Sequence, residues 1–373
     1  YSQVIKMICP RCKNQDPKYF YTFNQITYCR KCINVGSKQI VKNSFNLPKA
    51  KIDYHLDYQL TPLQQKISKD LLNRYINNKN TNLKAVCGAG KTEITYEVIK
   101  YALNNNHCVC FTTPRKELVI ELANRIQSQF SNIDITCVYG GHTKITSGQF
   151  IICTTHQLYR YPNTFDLLIL DELDAFPYAN NDVLQSILEN SIKGNYIYMS
   201  ATMNDNPDLL MTKRYHGHLL DIPKCYITPN WLAYIIAVFK IKANVKNSKP
   251  TIVFVPSIKQ TYKCTKIFKL FKLKCLECSS KTTKIEKRLA ALKNGKLDVI
   301  VATTILERGI TVDNVQVIVL QGNNRVFNQS TLIQICGRVG RNINHPNGSI
   351  SIFTPYKTKA IKKCISTIKQ DNA

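Results

Sequence analysis

The sequence predicts an α/β fold in which two tandem parallel-sheet domains follow a small module containing four cysteines. Residues 1 to about 50 are rich in Cys, Lys and Tyr and lack periodicity, whereas short apolar runs alternate with helical patterns from about 51 onwards. The alternation restarts after residue 222, and alternating strands and helices favour a parallel sheet covered on both faces. We therefore predict domains at 1–50, 51–222 and 223–373, a number that suits 373 residues.

We predict the strands of each sheet from short apolar runs that are bounded by helical patterns. In the first domain the helical stretches include 91–103 and 115–130, and in the second domain helices fall between and after the runs. Two such units in tandem leave a cleft, where we expect a ligand. The predicted strands are 83–87, 107–113, 149–155, 165–170 and 195–200 in the first domain, and 251–256, 297–303 and 315–320 in the second.

The chain is strongly basic. It carries 51 Lys and Arg against 24 Asp and Glu, a formal net charge of +27, which favours a polyanionic partner such as nucleic acid. An A/T-rich genome is the alternative explanation, because it enriches lysine without selection for binding.

The 15 cysteines indicate reduced thiols in a cytosolic protein rather than a disulfide framework, because the chain is long and shows no signal peptide at its start. The longest apolar run, 231–239, is about half of what a membrane span requires. We predict no transmembrane segment, so that any membrane association is peripheral. The first residue is Tyr1 rather than Met, which leaves open whether further residues precede it.

Four cysteines of the first module have the spacing of a metal site. Cys9, Cys12, Cys29 and Cys32 form two C-x2-C pairs, a pattern typical of a four-thiolate Zn²⁺ site that would fold a segment poor in core residues. A redox pair and a chance occurrence of cysteines are the alternatives. The basic and aromatic residues around them suit either stacking on a single nucleic-acid strand or a docking module. A further C-x2-C pair at 275–278 is interpreted as incidental.

A glycine loop in the first domain predicts a nucleotide site. "AVCGAGKTE" (85–93) follows a strand and precedes a helical pattern. Gly88 and Gly90 would let backbone N–H groups surround phosphates, Lys91 would reach the β and γ phosphates, and Thr92 would place its hydroxyl on Mg²⁺. A simple tight turn is the alternative.

Two carboxylates follow the strand "LLIL" and fit the same site. Asp171 would hold Mg²⁺ and Glu172 would polarise the attacking water. Acids at a helix N-terminus are the alternative interpretation.

Nine short segments follow one another along the chain: "LTPLQ" (60–64), "AVCGAGKT" (85–92), "TTPRKEL" (112–118), "TTHQL" (154–158), "DELD" (171–174), "SAT" (200–202), "IVFVPS" (252–257), "VATTILERGITV" (301–312) and "QICGRVGR" (334–341). In sequence and in order they resemble the motifs of the helicases and translocases of superfamily 2, whose two domains are RecA-like. The resemblance implies that Gln64 reads the adenine, that Gly309 contacts the nucleotide, and that Arg338 and Arg341 reach the γ-phosphate as arginine fingers.

The same resemblance implies two further sets of residues. Hydrolysis would be coupled to domain movement by Asp174, Ser200, Thr202 and Gln334. Nucleic acid would be contacted by Thr113, Arg115, Thr154, Thr155, His156 and Thr303.

The four-cysteine module, "DELDAFPY" (171–178) and "TTILERGITV" (303–312) narrow the resemblance to the ComFA family of competence proteins. That family implies an ATPase stimulated by single-stranded DNA, with ATP, Mg²⁺ and Zn²⁺, that drives DNA uptake in natural transformation. It also implies a cytoplasmic protein at the inner face of the membrane, with the small protein ComFC and the uptake channel as partners and an oligomer as an option. A duplex-unwinding DNA helicase of replication or repair, an RNA helicase, and a non-enzymatic zinc scaffold are the alternatives.

Overall fold

The structure is a computed structural model that describes residues 7–33, 40–47, 50–172, 181–202, 206–307 and 312–372. The chain divides into two compact units, one of residues 1–83 and 91–210 and one of residues 84–90 and 211–373. The division differs from the predicted boundary at 222/223. Hydrogen bonds explain it, because Val86 N–H donates to Met211 O (3.0 Å) and Tyr215 N–H to Gly88 O (3.0 Å).

The N-terminal module is a short hairpin followed by irregular chain. Strand β1 (Phe20–Phe23) pairs antiparallel with β2 (Ile26–Cys29). The turn residues Asn24 and Gln25 both have positive φ, 47° and 63°, the backbone that a two-residue hairpin turn requires.

Among the residues that the structure describes, seven strands form the first sheet, in the order β11-β4-β10-β9-β5-β8-β7. From β10 to β7 the neighbouring strands are parallel, and β5 and β8 are buried along their whole length, as expected for a sheet covered on both faces. The strands are β4 (Thr81–Ala85), β5 (Val109–Thr113), β7 (Ile135–Val138), β8 (Phe150–Thr154), β9 (Phe165–Asp171), β10 (Ile192–Ser200) and β11 (Leu209–Met211); β3 (Asp53–Tyr54) and β6 (Phe130–Ser131) form a separate pair.

In the described part of this domain, four α-helices accompany these strands. The first begins at a capping box in which Thr61 and Gln64 exchange hydrogen bonds, with Pro62 at its first position. They are α1 (Pro62–Ile76), α2 (Tyr96–Asn104), α3 (Lys116–Gln129) and α4 (Asp182–Ser191).

The second sheet, as far as its residues are described, consists of six parallel strands in the order β12-β17-β16-β13-β15-β14. Three of its helices, which begin at Ile258, Gln329 and Lys359, are capped by the side chains of Ser257, Asn328 and Thr358. The elements are β12 (Lys224–Ile227), α5 (Asn230–Lys246), β13 (Thr251–Phe254), α6 (Ile258–Leu270), β14 (Cys275–Cys278), α7 (Ile285–Lys293), β15 (Val299–Ala302), β16 (Gln316–Val319), α8 (Gln329–Cys336), β17 (Ile350–Thr354) and α9 (Lys359–Asp371). The α/β fold of two tandem RecA-like sheets is thus confirmed.

Several boundaries differ from the sequence expectations. The helical pattern at 91–103 becomes a 3-10 turn over Glu93–Thr95 before α2 begins at Tyr96, because the Thr95 hydroxyl donates to Thr92 O (2.6 Å) and tightens that turn. The strand expected at 83–87 lies two residues earlier. The pair at 275–278 forms β14, whose two cysteines are buried.

Candidate functional site

The candidate residues of the first sheet follow the carboxyl ends of its strands. β4 ends before the glycine loop, β9 ends at Asp171 and β10 ends at Ser200. In open α/β sheets this edge is where ligands bind.

The glycine loop, residues 86–92, has the backbone of a phosphate-binding loop. Gly88 and Gly90 have φ of +82° and +76°, values that other residues rarely adopt. Ala89 N–H donates to Val86 O (3.2 Å), which closes the turn. The loop chemistry therefore fits a bound polyphosphate.

Lys91 and Asp171 form an ion pair, with Lys91 Nζ 3.1 Å from Asp171 Oδ1. Both side chains are largely buried, and carboxylate oxygens are the ligands that Mg²⁺ prefers. Lys91, which is predicted to bind the phosphates, and Asp171, which is predicted to hold Mg²⁺, are therefore in direct contact.

Glu172 has a strained backbone. Its φ is +66°, and its N–H donates to Asp171 Oδ1 (3.0 Å) and to Met199 O (3.1 Å). Such conformations in non-glycine residues cluster at functional sites. Glu172 thus combines a strained backbone with a position directly after the end of β9.

Arg125 is a residue of this region that sequence reasoning missed. Its Nη2 donates to Thr92 Oγ1 (2.6 Å), and its Nη1 lies 3.7 Å from Glu93 Oε1. A divalent cation on the Thr92 hydroxyl would face this guanidinium, so we expect Arg125 to move when the metal binds. No local pattern singles out Arg125 within the amphipathic helix α3.

The adenine residue Gln64 and the coupling residues that the structure describes are buried. Ser200 Oγ accepts the Thr202 N–H (3.0 Å). Gln64 Oε1 accepts the Thr61 N–H (2.9 Å) as part of the capping box, so its adenine role stays a prediction. Gln334 lies in α8, while Asp174 and Gly309 lie outside the described residues.

Arg338 and Arg341 follow α8 in the segment that we call the arginine turn, residues 337–341. Arg338 is buried, and Arg341 Nε donates to Gly337 O (2.8 Å). The turn lies in the same compact unit as residues 84–90, and a Cβ on Gly337 would lie 2.8 Å from Cys87 Sγ. The turn therefore packs against the glycine loop.

The predicted nucleic-acid residues of the first unit meet at the ends of two adjacent strands. Thr113 ends β5 and pairs with Thr154 at the end of β8. Arg115 precedes α3, while Thr155 and His156 open a 3-10 turn. The hydroxyls of Thr113 and Thr155 are buried and have no hydrogen-bond partner within the described part of the chain, so contact through them stays a prediction.

Two further side chains of this set have their own surroundings. Burial lowers the pKa of His156 from its usual value, which favours the neutral imidazole. Thr303 follows β15 in the second unit, where its N–H donates to Cys278 O (3.1 Å).

The four cysteines of the module form a compact tetrad. Cys9 Sγ lies 3.7 Å from Cys32 Sγ and Cys12 Sγ lies 3.8 Å from Cys29 Sγ, with the four sulfurs all within 4.8 Å of one another. A tetrahedral ion with Zn–S bonds of about 2.3 Å has sulfur–sulfur edges of about 3.8 Å. Hydrogen bonding between the Cys9 and Cys32 thiols lowers the pKa of Cys9 and raises the pKa of Cys32, while burial raises the pKa of Cys12. A metal ion would bind all four sulfurs as thiolates. The donor set therefore fits a metal ion.

The module packs against the first sheet domain. Asn190 Nδ2, at the end of α4, donates to Pro10 O (2.6 Å) and Arg11 O (3.0 Å). The tetrad also belongs to a buried cluster with residues of α4 and of the turn after β8. The hairpin exposes Tyr21, Phe23, Ile26 and Tyr28, and its use for DNA or for a partner stays a prediction.

No helix of the described residues is long and apolar enough to cross a membrane.

Comparisons with known proteins agree with this architecture. A family model for the helicase conserved C-terminal domain matches residues 230–343, and one described as type III restriction enzyme, res subunit, matches residues 57–205. The chain is 33% identical to competence protein ComFA of Streptococcus pneumoniae, over 98% of this chain and 90% of that protein. It is also 33% identical to competence protein ComFA of Bacillus subtilis, over 98% of this chain and 85% of that one.

Solved structures share the fold at low sequence identity. DEAD-box helicase Mss116 bound to ssRNA and UDP-BeF matches with a TM-score of 0.60 and 20% identity, over 79% of this chain and 69% of that one. S. cerevisiae Dbp5 bound to RNA and ADP BeF3 matches with a TM-score of 0.54 and 15% identity, over 84% of this chain and 91% of that one.

The helicase domains make the chain an enzyme that hydrolyses ATP and binds nucleic acid. Its identity to both competence proteins extends through the four-cysteine module, since the alignments cover nearly the whole chain. The chain belongs to the ComFA family of competence proteins, within the helicases of superfamily 2.

Proposed function

We propose that the chain is a single-stranded DNA translocase that uses ATP hydrolysis to drive DNA uptake in natural transformation. The observation that carries the hydrolytic part is the Lys91–Asp171 pair (3.1 Å) at the glycine loop, with Glu172 beside it. Membership of the ComFA family supports the transport part.

We assign each residue of the site one role in ATP hydrolysis. Lys91 leaves Asp171 and binds the β and γ phosphates, while Asp171 and Thr92 hold Mg²⁺. The ion would neutralise charge that develops on the phosphate oxygens. Glu172 orients the attacking water and takes its proton. Arg338 and Arg341 stabilise charge on the γ-phosphate.

The nucleic-acid path follows the carboxyl ends of β5 and β8. Arg115 and the backbone N–H groups of residues 154–156 bind phosphates, and Thr303 contributes from the second unit. The net charge of +27 supports a polyanionic strand. Contacts with the sugar-phosphate backbone carry no sequence preference, which suits uptake of arbitrary DNA.

The four cysteines would hold Zn²⁺ as thiolates, which would supply the free energy that folds the module against α4. From the family we further propose a position at the inner face of the cytoplasmic membrane, with ComFC and the uptake channel as partners. An oligomer stays a prediction.

The substrate class is tested by the nucleic acid that stimulates ATP hydrolysis. We expect single-stranded DNA to raise the rate well above that with duplex DNA or RNA of the same sequence and length. The affinity for the strand should fall steeply as salt rises, because each phosphate contact releases counterions. Equal stimulation by RNA would contradict the proposal.

A pair of variants locates the strand within the same experiment. Arg115→Ala should weaken single-stranded DNA binding and reduce the slope of log affinity against log salt by about 0.7. Lys79→Ala is the matched control, because Lys79 is exposed and precedes the amino end of β4. Equal effects of both variants would refute a path along β5 and β8.

A further inference from the structure

Residues Arg214, Tyr215 and His216, which we call the 214–216 segment, follow β11 and lie in no motif that the helicase resemblance uses. They belong to the compact unit that also contains residues 84–90 and the arginine turn. Their contacts connect these two segments of the site.

The first set of contacts is with the glycine loop. Tyr215 N–H donates to Gly88 O (3.0 Å). A Cβ on Gly88 would lie 3.8 Å from both Cγ and Cδ of Arg214, so the arginine stem faces the open side of the glycine with room for one methyl group between them. The 214–216 segment is therefore held to the backbone of the loop.

The second set of contacts is with the arginine turn. Arg214 Nη1 donates to Gly340 O, and His216 Nε2 donates to the same oxygen (3.0 Å). Tyr215 Oη donates to Arg341 O (3.1 Å). Since His216 Nδ1 accepts the His218 N–H (3.3 Å), the neutral ring carries its proton on Nε2, the tautomer that this contact requires.

Gly340 is shaped for these contacts. Its φ is +66°, and a Cβ there would lie 2.7 Å from Arg214 Nη1. A side chain at this positive φ would be strained and would clash first with the Pro346 carbonyl and then with the guanidinium, so glycine permits the close approach. The close approach therefore depends on both residues.

The buried charge of the Arg214 guanidinium has few hydrogen-bond acceptors around it. The residue is 2% exposed, and Nε and Nη2 find no acceptor among the residues that the structure describes. Burial lowers the pKa of Arg214, while Asp221 attracts and Arg341 repels its charge. An apolar side chain would fill this position at a lower desolvation cost, so its contribution to packing alone does not account for an arginine.

We propose that Arg214 is a positioning residue for ATP hydrolysis, which holds the arginine turn in register with the glycine loop. Tyr215 N–H holds the segment to the Gly88 carbonyl and Arg214 holds it to the Gly340 carbonyl, which together fix where Arg338 and Arg341 lie relative to a phosphate in the loop. This inference rests on the proposed roles of Arg338 and Arg341. A positioning error of about 1 Å in such a group can cost about 10²-fold in rate.

The test uses the full chain and basal ATP hydrolysis without DNA. Arg214→Ala should lower kcat by about 10- to 100-fold, with KM and the Kd of a fluorescent ATP analogue changed less than about threefold, because binding rests mainly on the glycine loop and Lys91. Arg214→Lys should recover part of kcat, since its ammonium can donate to Gly340 O.

A second variant covers the case in which Arg214→Ala does not fold. Tyr215→Phe removes only the hydroxyl that donates to Arg341 O, from a side chain that is 42% exposed. It should lower kcat by a smaller factor without changing the melting temperature. Tyr262→Phe, on an exposed side chain of α6, is the matched control and should leave kcat unchanged.

The outcomes separate the inference from the proposed function. A normal kcat in folded Arg214→Ala and in Tyr215→Phe, with Arg341→Ala strongly impaired, would overturn the positioning role alone. A tenfold weaker nucleotide Kd at unchanged kcat would also overturn it, because Arg214 would then bind nucleotide. A normal rate in Arg341→Ala would overturn the role of the arginine turn and the inference with it.

Discussion

Glu172→Gln is expected to lower ATP turnover by about 10²- to 10⁴-fold, the usual contribution of a general base, while ATP binding persists. The amide keeps the size and the hydrogen-bonding oxygen of the side chain but cannot take a proton from water. Glutamine and glutamate also face a similar backbone cost at φ +66°, so the substitution leaves the strain largely unchanged. The measurement is the hydrolysis rate beside the Kd of a fluorescent ATP analogue.

Two other variants define what this result means. Glu189→Gln changes an exposed glutamate of α4 in the same way and should keep full activity. Lys91→Ala should also abolish hydrolysis but with weaker nucleotide binding and with DNA binding largely retained, because Lys91 is assigned to the phosphates. Normal turnover in Glu172→Gln would show that another group activates the water.

Cys9→Ser is expected to remove the metal from the module and to unfold roughly its first fifty residues. The tetrad has sulfur–sulfur distances of 3.7 and 3.8 Å, so one lost thiolate leaves an incomplete tetrahedron. In small metal modules the binding free energy is most of the folding free energy. Metal analysis should show zinc falling from about one ion per chain to near zero, and limited proteolysis should cut within the module.

Cys225→Ser is the matched control, since Cys225 is partly buried in β12 and lies outside the tetrad. It should keep both the zinc and the protease resistance. Retained zinc in Cys9→Ser, or unchanged protease resistance after chelation, would contradict the structural metal site. Because α4 contacts the module through Asn190, loss of the metal should also lower the melting temperature of the first unit.

The central strands could be predicted because burial on both faces leaves a continuous apolar run, as in β5, β8 and β9. Strand β17 escaped prediction because its buried residues include Ser351, which interrupts the apolar pattern. Strand β12 lies at a sheet edge and is largely half-buried or exposed. Its strand conformation therefore follows from hydrogen bonding to β17 and not from an apolar run in its own sequence.

The candidate site was predictable where its residues are neighbours in sequence. The glycine loop and the pair Asp171 and Glu172 each follow a strand directly, so the strand places them. The contacts of Arg214 with Gly340 and of Asn190 with Pro10 join residues 126 and 180 positions apart. Only the fold brings such residues together, although the run "KRYHGH" (213–218) is a polar signal after the "SAT" segment.

The measurement that tests the translocase most directly is ATP-driven displacement of streptavidin from biotinylated single-stranded DNA. The account predicts faster displacement from one end of the strand, abolished in Glu172→Gln and when ATP is replaced by a non-hydrolysable analogue. ATP hydrolysis that single-stranded DNA stimulates, without faster displacement from either end, would contradict movement along the strand.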